Sequence, residues 1–298
     1  MTIAAGFLSP DGLVLAADTQ YSGENKRNAA KVWWFRKGDN VVALAGAGDA
    51  TLIRRAKHEI ERDLSETMTS HAVVRLADDI VGSILRQQLP VDPEASCAFL
   101  LGIRTPDGLS PWENAGGAVF APVDGKSQCI GCGRSLGLYF TDWLFKPHIP
   151  TMWAPTIAAH LLKQVKKYVP DCGGDSHILA VPLSSGEPYY LAPEIVDSLE
   201  KQLDRIEAAM RKVVIFAPGI EGVTVNSAET IEKRMAAMDE AVKAARTQYV
   251  TLTGVVGLSG VGILRPAKLP PVSFTPLVSQ TSDSLSSPSG EGPVRKDE

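Results

Sequence analysis

The sequence predicts an α+β protein in which helical layers cover antiparallel sheets. Three observations carry this. Apolar runs rich in β-branched residues come in pairs joined by short Pro- or Gly-containing turns, which is the pattern of hairpins. Pairs of long helical patterns separate these strand blocks. The blocks do not alternate strand by helix, as a parallel βαβ wind would require.

Taken in order, residues 2–18 read as two strands around Ser9-Pro10-Asp11-Gly12, where Pro presets φ and Gly accepts positive φ. The polar loop QYSGENKRNAA leads to KVWWF, which returns through Gly38-Asp39 as VVALAGAG, a second hairpin. DATLIRRAKHEIERDLSE is the first helix, capped by Asp49 or Thr51, with Leu52, Ile53, Ala56 and Ile60 on one face. SHAVVRLADDIVGSILRQQL is the second, closed by Pro90. Three strand-like runs follow, ASCAFLLGIR, AGGAVFAPV and KSQCIGCG. Helices in SLGLYFTDWLF and TIAAHLLKQVKKYV come next, then strands in HILAVPL and EPYYLAP and a helix in EIVDSLEKQLDRIEAAMRK.

Composition excludes several function classes. The chain has 298 residues, 44% of them apolar, enough for a real core. Its 30 basic against 34 acidic residues leave a formal charge of -4, without the excess that neutralising phosphates demands, so no nucleic-acid partner is expected. No apolar run approaches the roughly 20 residues needed to span a bilayer. The start also lacks a basic segment followed by an apolar signal core, so no membrane association and a cytoplasmic location are expected. Cys129 and Cys132 have CxxC spacing but no second pair, and all four cysteines are read as reduced packing thiols. The five histidines show no ligand spacing, and neither a metal nor another cofactor is expected.

The chemistry is sought at the start of the chain. A threonine hydroxyl needs a base within hydrogen-bond reach, and a chain-terminal threonine carries one in its own α-amine, whose ordinary pKa lies near 7.7–8.0. Thr2 becomes terminal if Met1 is removed, which a small second residue permits. A Lys31 ammonium beside that amine would disfavour its protonated form, and Asp18 would hold the lysine. Gly46, at a strand end, would offer a backbone N–H to a developing oxyanion. Taken singly, each residue has a plain structural reading: a strand end at Asp18, a solvated charge at Lys31, loop chemistry at Gly46.

Together, TIAAGFLSPDGLVLAADTQ, the lysine of KVWWF, the LAGAGDA turn, IGCG and PDCGGD resemble the proteasome β-subunit family of N-terminal-nucleophile hydrolases, in its bacterial propeptide-less form. The likeness runs from Thr2 to about Lys212. It implies a four-layer αββα sandwich with two antiparallel sheets and catalytic roles for Thr2, Asp18, Lys31, Gly46 and Asp171. It also implies acyl transfer to Thr2: a threonine peptidase acting on peptides or unfolded protein, in a homo-oligomeric ring with a separate ATP-dependent unfoldase. By position, Tyr21, Ser22, Leu44 and Gly48 would face the substrate, with Leu44 as an apolar floor; core packing of Leu44 is the alternative.

The chain departs from the family where Gly131-Cys132-Gly133-Arg134 replaces a Gly-Ser-Gly-Ser segment and Asp171-Cys172-Gly173-Gly174 replaces Asp-Ser-Gly-Gly. Arg134 and Cys172 would line the site, and Asp171 would pair with Arg134, support the Thr2 amine or only end a helix. The loop from Asp18 to Lys31 is about three residues short, and Gln20 stands where an arginine is frequent. Two other readings keep the fold: an amidase for small amides, and an inactive scaffold subunit. A phosphate-cradling loop at GAGDA or GCGRSLG lacks the residues that such loops need.

The expected organisation is a hydrolase domain over 2–215, a helical extension over 216–265 containing SAETIEKRMAAMDEAVKAARTQ, and a disordered Pro- and Ser-rich tail over 266–298.

Overall fold

The computed structural model describes residues 2–21, 27–146, 148–184 and 186–216. The expectations placed beyond residue 216, an extension and a tail, lie outside the described residues. The first hairpin is β1 (Ile3–Ser9) and β2 (Gly12–Asp18). β3 (Gln20–Tyr21) and β4 (Arg27–Asn28) pair as a short ribbon. The second hairpin, β5 (Val32–Lys37) and β6 (Asn40–Gly48), precedes α1 (Ala50–Asp63) and α2 (Ser70–Gln88). Then come β7 (Cys97–Thr105), β8 (Gly108–Asn114), β9 (Ala121–Pro122), β10 (Ser127–Gly131), α3 (Arg134–Leu144) and α4 (Ala154–Tyr168). β11 (Ser176–Pro182), β12 (Tyr189–Tyr190) and α5 (Pro193–Phe216) complete the described chain.

Two five-stranded antiparallel sheets form, in the orders β10-β1-β2-β11-β12 and β5-β6-β7-β8-β9. Strand alternation divides β1 cleanly. Ile3, Ala5 and Phe7 face Leu161, Leu162 and Val165 of α4, whereas Ala4 joins Leu13, Leu15 and Ala17 against Val41, Ala43, Ala45 and Leu100 of the second sheet. The outer face of that second sheet, with Leu44, Phe99, Leu101 and Ile103, is covered by Ile53, Ile60, Val73 and Val81 of α1 and α2. The result is the expected four-layer sandwich of two sheets between two helical layers. Burial on both faces explains why GLVLAAD is apolar up to its last residue, Asp18, and buried throughout, where a strand with one wet face would alternate.

Asp49 caps α1 by accepting the N–H groups of Thr51 (2.7 Å) and Leu52 (3.0 Å), which decides between the two expected caps. The strand pattern after α2 is where sequence and structure part. AGGAVFAPV contributes only the two residues of β9, and the strand pairing with β7 is β8, GLSPWEN. Pro111 and polar neighbours mask that strand. Pro111 is tolerated because its missing N–H lies on the side of the short edge partner, where its carbonyl accepts the Val123 N–H at 3.2 Å. EPYYLAP likewise contributes only Tyr189 and Tyr190.

Candidate active site

Thr2 precedes β1 and shares the alternation of Ala4, which places it at the rim between the sheets. Asp18 is the last residue of β2, and Lys31 immediately precedes β5. These three polar residues are buried, with 1%, 0% and 0% exposure. They form one contiguous group. Lys31 Nζ donates to Thr2 Oγ1, to Asp18 Oδ1 at 2.9 Å and to the Gln20 carbonyl. It also lies 4.5 Å from the centre of the Tyr21 ring, a cation–π contact. An isolated buried ammonium would be costly; here oxygens and an aromatic face replace its water shell. Burial pulls the Lys31 pKa below its ordinary value, and the Asp18 carboxylate opposes this.

Asp18 is held in turn. Its Oδ1 accepts the Ile3 N–H at 3.2 Å, and its Oδ2 accepts the Gly173 N–H at 2.9 Å. The Thr19 N–H donates to Asp175 O and the Gln20 N–H to Gly173 O, both at 3.0 Å, so the segment after α4 is tied to the strand carrying Asp18. Glycine is required at 131. Its φ is +90°, and a Cβ there would stand 2.0 Å from the Thr2 carbonyl oxygen and 3.1 Å from Ala47 Cβ. The same proximity brings the end of β6 next to Thr2.

Several expected roles change. The Gly46 N–H donates to the Lys31 carbonyl at 2.9 Å, so it is engaged in the strand ladder and does not await an oxyanion. Alternation puts the Gly48 N–H on the same strand edge. There the facing chain has turned away, since Ala29 donates to Thr19 O at 2.9 Å. Leu44 has no exposure and packs among Ile53, Ala56 and Phe99, so it is core, not a substrate floor. Tyr21 does border the site; its hydroxyl is buried and without a hydrogen-bond partner among the described residues, and burial raises its pKa to about 12. Ser22 lies outside the described residues.

Asp171 is half-buried beside Cys132, on whose ionisation its charge acts, and Arg134 is exposed at the first turn of α3. The CxxC pair does not act as a unit. Cys129 is buried beneath α3, whereas Cys132 is exposed and meets Cys172, with the sulfurs 3.4 Å apart. Cys132 Sγ also donates to the Thr2 carbonyl at 3.4 Å. The Gln20 carbonyl, the Gly173 N–H and Cys132 are site groups that sequence reasoning did not assign. Only the PDCGGD and IGCG segments hinted at them.

No family model matches the chain, and no curated protein matches it. Similar solved structures exist. Anbu (ancestral beta-subunit) from Yersinia bercovieri superposes with a TM-score of 0.62 at 16% identity, over 75% of this chain and 100% of that one. The helical assembly of the Anbu complex from Pseudomonas aeruginosa gives 0.64 at 15% identity, over 76% and 100%. Anbu from Hyphomicrobium sp. strain MC1 gives 0.59 at 17%, over 74% and 100%. The resemblance to the propeptide-less proteasome β-subunit family is thereby corrected: its likeness stops at the fold. What this chain shares with these proteins is the fold, a four-layer sandwich of two antiparallel sheets between helices.

Proposed function

We propose that this chain is a hydrolase of amide bonds in peptides, with Thr2 Oγ1 as nucleophile. The observation that carries the reading is the contact of Lys31 Nζ with Thr2 Oγ1 inside a fully buried Lys31–Asp18 pair. A lysine whose pKa is lowered by burial offers more of its neutral amine at a given pH, so Lys31 can take the hydroxyl proton as Oγ1 attacks a carbonyl carbon. Removal of Met1 frees the Thr2 α-amine, a second base on the same residue. Through it the proton taken by Lys31 passes to the departing amine, and it later draws a proton from the water that hydrolyses the ester and returns it to Oγ1. Asp18 positions Lys31 and is itself fixed by the Ile3 and Gly173 N–H groups. With the Gly46 N–H engaged, the Gly48 N–H is the donor that fits the developing oxyanion.

The named helical assembly of the Pseudomonas aeruginosa protein, together with exposed Tyr139 and Trp143 on α3, supports reading this chain as a homo-oligomer. The hydrolase unit is taken as residues 2–215.

The test is turnover of fluorogenic peptide amides and of unfolded casein by the full chain and by Thr2→Ala. The reading expects peptide hydrolysis that the variant loses. Hydrolysis of simple acyl anilides alone would replace the peptidase by a small-amide amidase, and turnover unchanged in Thr2→Ala would overturn the nucleophile.

A further inference from the structure

Cys132 and Cys172 are forty residues apart, on different connections, yet their sulfurs touch. Cys132 lies between β10 and α3 and is exposed; Cys172 lies between α4 and β11 and is 4% exposed. Their separation of 3.4 Å exceeds a disulfide bond by on the order of 1.4 Å, a gap that side-chain rotation with a small backbone shift can close. Each sulfur also borders one half of the Thr2 site. Cys132 donates to the Thr2 carbonyl, and Cys172 immediately precedes Gly173, whose N–H holds Asp18.

We infer that Cys132 and Cys172 form a peroxide-reactive thiol pair that closes to a disulfide against Thr2. Cys132 is the attacking sulfur because it is the exposed one. The hydrogen bond from Cys172 also pulls its pKa down to about 6, while the Cys172 thiol is pushed up. The Cys132 thiolate attacks one oxygen of hydrogen peroxide, the O–O bond breaks, and the departing hydroxide takes a proton and leaves as water, giving Cys132 sulfenic acid. Cys172 sulfur then attacks the Cys132 sulfur. The S–O bond breaks, the thiol proton leaves with the second hydroxide as water, and the S–S bond forms. Two electrons from the pair reduce one peroxide to two waters, and an external dithiol reverses the step by exchange.

Closure has a consequence at Thr2. Drawing the two sulfurs together pulls on Cys172 and displaces the adjoining Gly173 N–H from Asp18. The effect on turnover rests on the proposed function; formation of the disulfide does not.

The experiment treats the reduced full chain with hydrogen peroxide, blocks remaining thiols with iodoacetamide, and reads intact and peptide masses. The expected result is two of the four cysteines protected, a Cys132–Cys172 cross-linked peptide and reversal by dithiothreitol. Cys132→Ser forms no cross-link, and Cys172→Ser accumulates a dimedone-trappable sulfenic acid at Cys132. Four blocked thiols after peroxide, or a cross-link to Cys129 instead, overturns the inference. Peptide hydrolysis by the oxidised chain is expected to fall by about 10²-fold, the cost of roughly 1 Å of misplacement, and to return with dithiothreitol. In Cys172→Ser the ratio of activities with and without peroxide stays near unity. A cross-link that forms in a chain with no hydrolysis in either state upholds the thiol pair and overturns the peptidase reading. Hydrolysis that is equal in the two states overturns the coupling.

Discussion

Lys31 Nζ lies 2.9 Å from Asp18 Oδ1, and neither side chain has any exposure to solvent. A pair so placed is asymmetric in its energetics: its charges compensate each other, but either one left alone is an uncompensated buried ion. Lys31→Met is therefore expected to destabilise the fold by about 3 kcal/mol or more, read as a shift in urea midpoint. Adding Asp18→Asn in the Lys31→Met background is expected to cost less than the two single changes summed. Strict additivity in that double-mutant cycle would contradict the coupling.

The same lysine sets a pH dependence. Its folded-state pKa lies below its unfolded value, so between the two the unfolded chain binds the extra proton. Stability rises with pH through that window, and the cost of burying the charged form is present in full below the folded pKa. Turnover follows the neutral amine and rises with pH over the folded ionisation. Asp18 raises the Lys31 pKa, so Asp18→Asn is expected to move the rising limb of the kcat/KM profile to lower pH. A limb that moves upward would remove Lys31 from the role of base.

Gly131→Ala puts a methyl group against the Thr2 carbonyl oxygen and forces a side chain into φ +90°. The strain is of order 1–3 kcal/mol. Both an earlier thermal transition and a loss of activity exceeding that of a comparable destabilisation elsewhere are expected. Unchanged kinetics would mean that β10 does not position Thr2.

Thr69 provides the comparison. Its hydroxyl caps α2 by accepting the Ala72 N–H at 3.3 Å. Thr69→Ala is expected to cost about 1 kcal/mol and to lower Tm by about 2–4 °C with kcat/KM unaltered. A matching fall in kcat/KM would show that global loosening alone disables the site.

The pieces legible in the sequence were those with local signatures. Ser9-Pro10-Asp11-Gly12 marked the first hairpin, Asp49 the start of α1, and the order of Thr2, Asp18 and Lys31 the group that the fold brings together. What could not be read depends on which groups face each other after folding. Leu44 reads the same whether it lines a pocket or fills the core, because both are apolar surroundings. Gly46 and Gly48 differ only in whether the facing strand has ended, a matter of register. Cys132 had a nearer apparent partner in Cys129, but Cys129 faces α3 while Cys132 meets Cys172. β8 was hidden by Pro111, since a strand's residues do not record that its partner on one side is only two residues long.

The most direct measurement of the central claim is intact mass after incubation with a peptide epoxyketone, which needs the hydroxyl and the free α-amine of one threonine to close its ring adduct. The expected result is a chain without Met1 that takes up one adduct, slowly in Lys31→Met and never in Thr2→Ala. A mature chain that retains Met1, or a Thr2→Ala chain that is still labelled, would contradict it.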